Sequence, residues 1–196
     1  YLCALEVEEE GGENLLAFLE AHPDLPVWFA PGPRLSALRE ERFRRCLALH
    51  PALHLNAGES LETARRCGQA AETPEEAAAA LHAVTGAPVI VTLGGDGCLY
   101  ETGTERGHIP PVKTEVADTI GAGDAHVGAL MARRALGDDW RTALIVANHY
   151  AAAVTAVRAS ISTPVRPLHR TTARISTAQV SSSSHSLRSA PSSATG

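Results

Sequence analysis

The chain has 196 residues, of which 44% are hydrophobic, and it carries a formal net charge of -5. This length gives one domain with a hydrophobic core and excludes two domains of typical size. The four cysteines form no CxxC pair and no apolar run is long enough to cross a bilayer, so we predict reduced thiols, a cytoplasmic location and no zinc site, disulfide framework or membrane contact.

In the first half of the chain, apolar segments of strand length alternate with helical patterns. They are, in order, YLCALEV, NLLAFLEA, PVWFA, RLSALREERFRRCLAL, ALHLNA, AAAALHAVTG and APVIVTLG. Taken alternately as strand and helix, they predict crossover units that build a parallel sheet covered by helices, with ligand-binding loops at the carboxyl ends of the strands. The last segment is the clearest strand, because its Val, Ile and Leu run suits burial on both faces.

Further elements are predicted after this strand. Residues 97–110, GCLYETGTERGHIP, place turn residues between two short extended pieces and predict a β-hairpin. Two helices are predicted next, from about 123 to 135 and from about 140 to 157, because apolar residues recur there at helical spacing.

The end of the chain differs in composition from the rest. Every Asp and Glu lies at or before Asp139, and the residues from Thr171 onward are rich in Ser and Thr. Such a segment cannot bury enough apolar surface to offset the entropy of ordering it. We therefore predict a domain over residues 1–158 and a disordered tail over 159–196. The arginines of the tail are dispersed and no aromatic residue lies among them, so we do not expect a nucleic-acid partner.

The segment ADTIGAGDAHVG, residues 117–128, combines glycines with the start of a predicted helix. Gly121 and Gly123 allow a ligand to approach the backbone, and the free amides of a helix start favour a phosphate. Asp124 would be repelled by that phosphate as a ligand, so its chemistry suits a base that takes a proton from an attacking hydroxyl. The alternative is that Asp124 is only a first-turn residue favoured by the helix dipole.

Two other glycine motifs fit this segment poorly. A dinucleotide-binding fingerprint requires glycine where His126 stands, and a phosphate-binding Walker loop requires a Gly-Lys-Ser/Thr sequence that the chain lacks.

The segment VADTIGAGDAHVGALMA resembles the C-terminal signature of the ribokinase-like, pfkB-type sugar kinases. Asp118, Thr119, Gly121, Gly123, Asp124 and Gly128 all fall in register with it. The stretches FAPGPR, NAGE, VTLGGDG and VANHYAAAV resemble further motifs of the family, in the family's order, and the resemblance covers residues 1 to 158. It implies a three-layer α/β/α fold with a mostly parallel central sheet.

The resemblance also implies an activity and a set of site residues. The activity is the ATP-dependent phosphorylation of a hydroxyl of a sugar or nucleoside, with Mg²⁺ as a cofactor and Asp124 as the catalytic base. Amides from Gly121, Ala122 and Gly123 would stabilise charge on the transferred phosphoryl group. The remaining implied sites are Asn56 and Glu59 for magnesium and phosphate, Thr92, Gly94 and Gly97 for the nucleotide phosphates and ribose, Asn148 for the adenine, and Asp118 with the Ile120 carbonyl for a monovalent cation such as K⁺. Asn56 and Glu59 also fit a helix N-cap and its capping partner, so both interpretations stay open for that pair.

The sequence departs from the family pattern at several positions. Ala30 stands where many relatives carry Asp, His126 stands where Phe is commoner, and residues after 158 leave the pattern. The family's N-terminal strands, lid and acceptor-sugar contacts are not found upstream of Tyr1. We therefore expect a truncated kinase, from a parent protein that forms a homodimer, and the alternative is a non-catalytic module that binds nucleotide without turnover.

Overall fold

Five strands form one mixed sheet in the order β1-β2-β3-β4-β5. The computed structural model describes residues 1–157. The strands are β1 (Trp28–Phe29), β2 (Ala52–Asn56), β3 (Val89–Thr92), β4 (Cys98–Glu101) and β5 (Arg106–Ile109). The first three run parallel, and the last two form an antiparallel hairpin. The predicted strand after Ala87 and the predicted hairpin are therefore confirmed.

Helices connect and cover these strands. They are α1 (Ala4–Glu8), α2 (Gly12–Glu20), α3 (Glu40–Ala48), α4 (Ala57–Arg66), α5 (Pro74–Thr85), α6 (Ala122–Ala135) and α7 (Trp140–Thr155), with 3-10 turns at Gly32–Ala37 and Gly94–Asp96. The two helices predicted after the hairpin are confirmed, with ends that agree with the predicted ones to within two residues. The predicted tail, 159–196, lies outside the described residues.

Alternate residues of β3 point into two separate hydrophobic cores. Val89 and Val91 pack with residues of α1 to α5 on one face of the sheet, whereas Ile90 packs with Leu130 of α6 and Leu144 of α7 on the other. A strand covered on both faces needs this continuous apolar sequence, because its side chains alternate between the faces. The arrangement is the predicted three-layer α/β/α fold.

The first apolar segment, YLCALEV, is not the strand that we predicted. Only Leu2 pairs with the sheet, through a bridge to Phe29, and the residues that follow it form α1. The Cys3 amide donates to the Glu6 carboxylate at 2.7 Å, which satisfies an amide at the start of the helix. Ala, Leu and Glu are strong helix formers, so local propensity also favours the turn of helix.

The hairpin returns across the end of β3 with very little clearance. Gly97 has a φ of +89°, and a Cβ placed on it would lie 2.1 Å from the Ile109 carbonyl oxygen. Only glycine fits this crossing, because a side chain would overlap the backbone of β5. Within residues 1–157, no helix combines the length and the apolar character required to cross a membrane.

Candidate active site

A cleft with a volume of about 480 Å³ lies at the carboxyl end of β3, beside the start of α6. Its lining includes six residues predicted from the sequence, namely Thr92, Gly94, Gly97, Ala122, Gly123 and Asn148. Lys113, Thr119 and His126 also line it, and we did not predict a role for any of these three. Loops at the carboxyl end of a parallel sheet are the usual position of a ligand site in α/β folds.

The start of α6 presents backbone groups suited to an anion. Gly121 is the N-cap residue and has a φ of +80°, which favours glycine. The Ala122 amide donates to the Thr119 carbonyl at 3.2 Å, whereas the amides of Gly123 and Asp124 have no protein acceptor within residues 1–157. These free N–H groups lie at the positive end of the helix dipole, where a phosphate would be stabilised.

Asp124 lies in the first turn of α6 and is exposed. It is not among the residues that line the cleft. Burial raises the pKa of the Tyr1 phenol, and the carboxylates of Asp124 and Glu59 raise that pKa further.

Asn56 and Glu59 form a capping box at the start of α4. The Glu59 amide donates to Asn56 Oδ1 at 2.8 Å, and the Asn56 amide donates to Glu59 Oε2 at 3.0 Å. Burial raises the pKa of the Glu59 carboxyl, while the hydrogen bond from the Asn56 amide lowers it. Asn56 is in register with Thr92 of β3, so the capping box begins next to the strand end that reaches the cleft. The helix-cap interpretation of this pair is therefore realised.

Asp118 and Ile120 lie in the segment before α6, outside the cleft lining. The Ile120 amide donates to Asp118 Oδ1 at 3.0 Å, and the Ile120 residue is 72% exposed. The amides of Ala117 and Asp118 both donate to the Thr155 carbonyl, which ties this segment to the end of α7. In the part of the chain that the structure describes, no group of three or more His, Cys, Asp or Glu side chains is arranged to hold a metal ion.

Three buried polar side chains form a hydrogen-bonded chain behind the cleft. His54 Nε2 lies 2.9 Å from His126 Nδ1, and His126 Nε2 lies 3.1 Å from Asn148 Oδ1. Asn148 Nδ2 donates to the Pro110 carbonyl at 3.0 Å. Burial lowers the pKa of both imidazoles, so both rings are neutral at pH 7. Asn148 lines the cleft, yet its amide is engaged with the protein on both sides.

One feature of the sequence pointed to these three hydrogen-bonded side chains, namely a histidine at an otherwise apolar position of α6. We noted His126 as a departure from the family pattern without assigning it a partner. His54 precedes it by 72 residues, so its contact with His126 depends on the fold.

Comparisons with known proteins agree with the fold and the motifs. The sequence profile of the pfkB family carbohydrate kinases matches residues 3–166. The uncharacterized sugar kinase YegV of Escherichia coli (strain K12) is 31% identical over 166 residues, which cover 85% of this chain and 51% of that protein. The chain thus spans about half the length of this relative.

Solved structures share this fold. A ribokinase from Thermotoga maritima is 28% identical with a TM-score of 0.60, and the match covers 72% of this chain and 46% of that one. The aminoimidazole riboside kinase from Salmonella enterica, solved with aminoimidazole riboside and an ATP analog, superposes with a TM-score of 0.69 over 82% of this chain and 57% of that one, at 22% identity. Because the family profile matches most of its length, the chain belongs to the pfkB family of carbohydrate kinases.

Proposed function

We propose that this chain binds ATP in the cleft and supplies the catalytic base, Asp124, of a kinase that phosphorylates a hydroxyl of a sugar or nucleoside. The observation that carries the proposal is the convergence of six predicted residues on one cleft beside free amides at the start of α6. The proposal includes a small-molecule acceptor as the partner, a cytoplasmic location, and no nucleic-acid or membrane partner. A homodimer of the longer protein is part of the same proposal.

The chemistry of the cleft suits a nucleotide. Val112, Ala151 and Ala152 give one part of the lining an apolar surface on which a purine ring could lie. Lys113 and the start of α6 provide positive charge and N–H donors for the phosphates. A Cβ on Gly123 would meet nothing within 4 Å, so the backbone at this position is open to a ligand. The family relationship supports ATP as this nucleotide.

In the proposed reaction, Asp124 accepts the proton of the acceptor hydroxyl. The hydroxyl oxygen forms a bond to the γ-phosphorus as the bond between that phosphorus and the ADP oxygen breaks. The amides of Gly123 and Asp124 would stabilise the charge on the transferred group. When bound, Mg²⁺ would neutralise part of the phosphate charge. Glu59 Oε1, which the capping box leaves free, and the side chain of Asn56 are the proposed contacts to its hydration shell.

A monovalent cation such as K⁺ is proposed near Asp118 and the Ile120 carbonyl. The Asp118 carboxylate keeps one oxygen free of the turn that it forms with the Ile120 amide. The segment leads directly into α6, so a cation there would act on the position of the helix start.

Nucleotide binding is tested first, by the unfolding of the whole chain with and without Mg-ATP. Ligand at about a hundred times its Kd should add about 2.7 kcal/mol to the free energy of unfolding. Gly123→Val should weaken this effect, because the new side chain enters the cleft without meeting protein atoms. Gly128→Val is the matched control, since it lies on the same helix, has equal space and does not line the cleft.

Lys113 provides a second measure of binding, because it is the only lysine of the chain. Mg-ATP should slow the acylation of Lys113 by an amine-reactive reagent, as followed by peptide mass mapping. Unchanged acylation together with an unchanged free energy of unfolding would contradict a nucleotide site in this cleft.

Phosphoryl transfer is tested next, by release of ADP in the presence of a panel of sugars and nucleosides. Asp124→Asn should abolish transfer and retain nucleotide binding. If the wild-type chain binds Mg-ATP and transfers nothing to any acceptor, the kinase proposal fails for this chain and the alternative of a nucleotide-binding module is supported. An Asp124→Asn variant as fast as the wild type would remove Asp124 from the role of base.

A further inference from the structure

The hydrogen-bonded chain behind the cleft has a fixed direction. The Ile109 and Pro110 carbonyls lie 3.5 and 3.0 Å from Asn148 Nδ2, and carbonyl oxygens can only accept, so the Asn148 amide must turn its NH₂ group toward them. Its Oδ1 atom then faces His126 and accepts from the Nε2–H of that ring.

This requirement determines the tautomers of both rings. A neutral His126 that carries its proton on Nε2 has a lone pair on Nδ1, which accepts from His54 Nε2–H at 2.9 Å. Donors therefore run from His54 through His126 and Asn148 to Pro110. Any reversal at one member would bring two donors or two acceptors face to face.

The three side chains have little alternative to these partners. His54 is 5% exposed, His126 is 2% exposed and Asn148 is 7% exposed. A buried polar group that loses its partner incurs the full cost of desolvation, so each member holds the next in one orientation.

The hydrogen-bonded chain joins four segments that meet at the cleft. His54 lies in β2, His126 lies two residues after Asp124 in α6, Asn148 lies in α7, and Pro110 follows β5. His126, Asn148 and Pro111 line the cleft itself. Pro110 and Pro111 also pass within 3 Å of a Cβ built on Gly97, so a shift of this segment would change the shape of the cleft directly.

We propose that His126 is a positioning residue of the nucleotide site, which orients Asn148 and thereby holds the 109–111 segment in place, and that His54 supports the His126 ring by donating to its Nδ1 atom. This inference rests on the proposed nucleotide site. Asn148 was expected to contact the adenine. In this inference its amide instead supports the wall of the cleft.

The tautomer is measured directly on the whole chain with ¹⁵N-labelled histidine, by long-range ¹H–¹⁵N correlation of the imidazole nitrogens. The wild-type His126 should carry its proton on Nε2. His54→Phe removes the donor to Nδ1, but His126 should keep its proton on Nε2, because Asn148 Oδ1 still accepts from that atom. A wild-type His126 protonated on Nδ1, or a His126 that moves its proton to Nδ1 in His54→Phe, would overturn the proposed direction.

The consequence for binding is measured by calorimetry with Mg-ADP. His126→Phe leaves Asn148 Oδ1 without a donor, and we expect the Kd to rise about tenfold. His126→Gln supplies an N–H in the place of Nε2, so it should restore most of the affinity. Leu130→Ala, a buried position one turn further along α6, is the control for general loss of stability and should leave the Kd and the His126 tautomer unchanged.

The outcomes separate this inference from the proposed function. A wild-type Kd in His126→Phe, or an equal loss of affinity in Leu130→Ala, would overturn the positioning role. If the wild-type chain binds no nucleotide, the proposed function fails and the positioning role fails with it, while the tautomer spectra still decide the direction of the hydrogen-bonded chain.

Discussion

The buried histidine pair should make the stability of the domain depend on pH between 7 and 5. Burial, and to a smaller extent the neighbouring His126, lower the pKa of His54 to about 3. Burial lowers the pKa of His126 to about 4, against an opposing hydrogen bond to Asn148. An unfolded histidine has a pKa of about 6.5. Near pH 5 the unfolded chain therefore binds protons that the folded chain excludes.

The sign and size of the change in the free energy of unfolding follow from the difference between the folded and unfolded pKa values. The free energy of unfolding rises with pH wherever the unfolded state binds more protons, so it must fall as the pH falls below about 6.5. For a native pKa of about 4, the loss from pH 7 to pH 5 is about 2 kcal/mol per histidine, and for both rings it is about 4 kcal/mol. Such a loss is a large part of the stability of a typical domain.

Urea unfolding of the whole chain at pH 7, 6 and 5 measures the loss. The double variant His54→Leu/His126→Phe should lack it, whereas His149→Gln, which replaces an exposed histidine of α7, should retain it. Glu59 acts in the opposite direction because burial raises its pKa, but it is present in all three proteins and cancels in their comparison. A change in the free energy of unfolding from pH 7 to pH 5 that is the same in the wild type and in the double variant would refute the reasoning.

Two further substitutions test the local structure around the cleft, with urea unfolding as the measurement. Gly97→Ala should destabilise the chain by about 3 kcal/mol or more, because of its positive φ and the 2.1 Å approach to the Ile109 carbonyl oxygen, and a loss below about 1 kcal/mol would contradict this crossing. Asn56→Ala removes the N-cap of α4 and should reduce the free energy of unfolding by about 1 kcal/mol, whereas Asn56→Asp, which keeps a capping oxygen, should not.

The parts of the fold that the sequence predicted are those with a strong local pattern. The Val-Ile-Val run of β3, the turn residues of the hairpin and the helical spacing of α6 and α7 each determine an element from its own residues. The first segment failed because seven residues of mostly apolar character suit a short strand and a short helix equally well. The contact of Glu6 with the Cys3 amide decides between them, and its effect was not evident from the apolar pattern.

The prediction of the candidate site depended on sequence motifs, because the chemical properties of its individual residues did not identify it. The glycine segment before α6 and the end of β3 are far apart in sequence, and the family resemblance was the reason to expect them in one place. The link from His54 to Asn148 had no such support, because a hydrogen bond across 72 residues and then one across 22 depends on the final packing. In the sequence, such a buried hydrogen bond is indicated only by a histidine on an otherwise apolar helix face.

Gly97 and Gly123 both line the cleft, but glycine is favoured at the two positions for different physical reasons. Gly97 was expected beside the phosphates and ribose of the nucleotide, and Gly123 was expected to let a ligand approach the backbone. Gly97 is required by the protein itself, because the backbone of residues 109–111 crosses it and its φ is positive. Gly123 meets no protein atom that a side chain would disturb, so a side chain there would obstruct only a ligand. A substitution at Gly97 therefore reports on folding, and a substitution at Gly123 is the one that reports on binding.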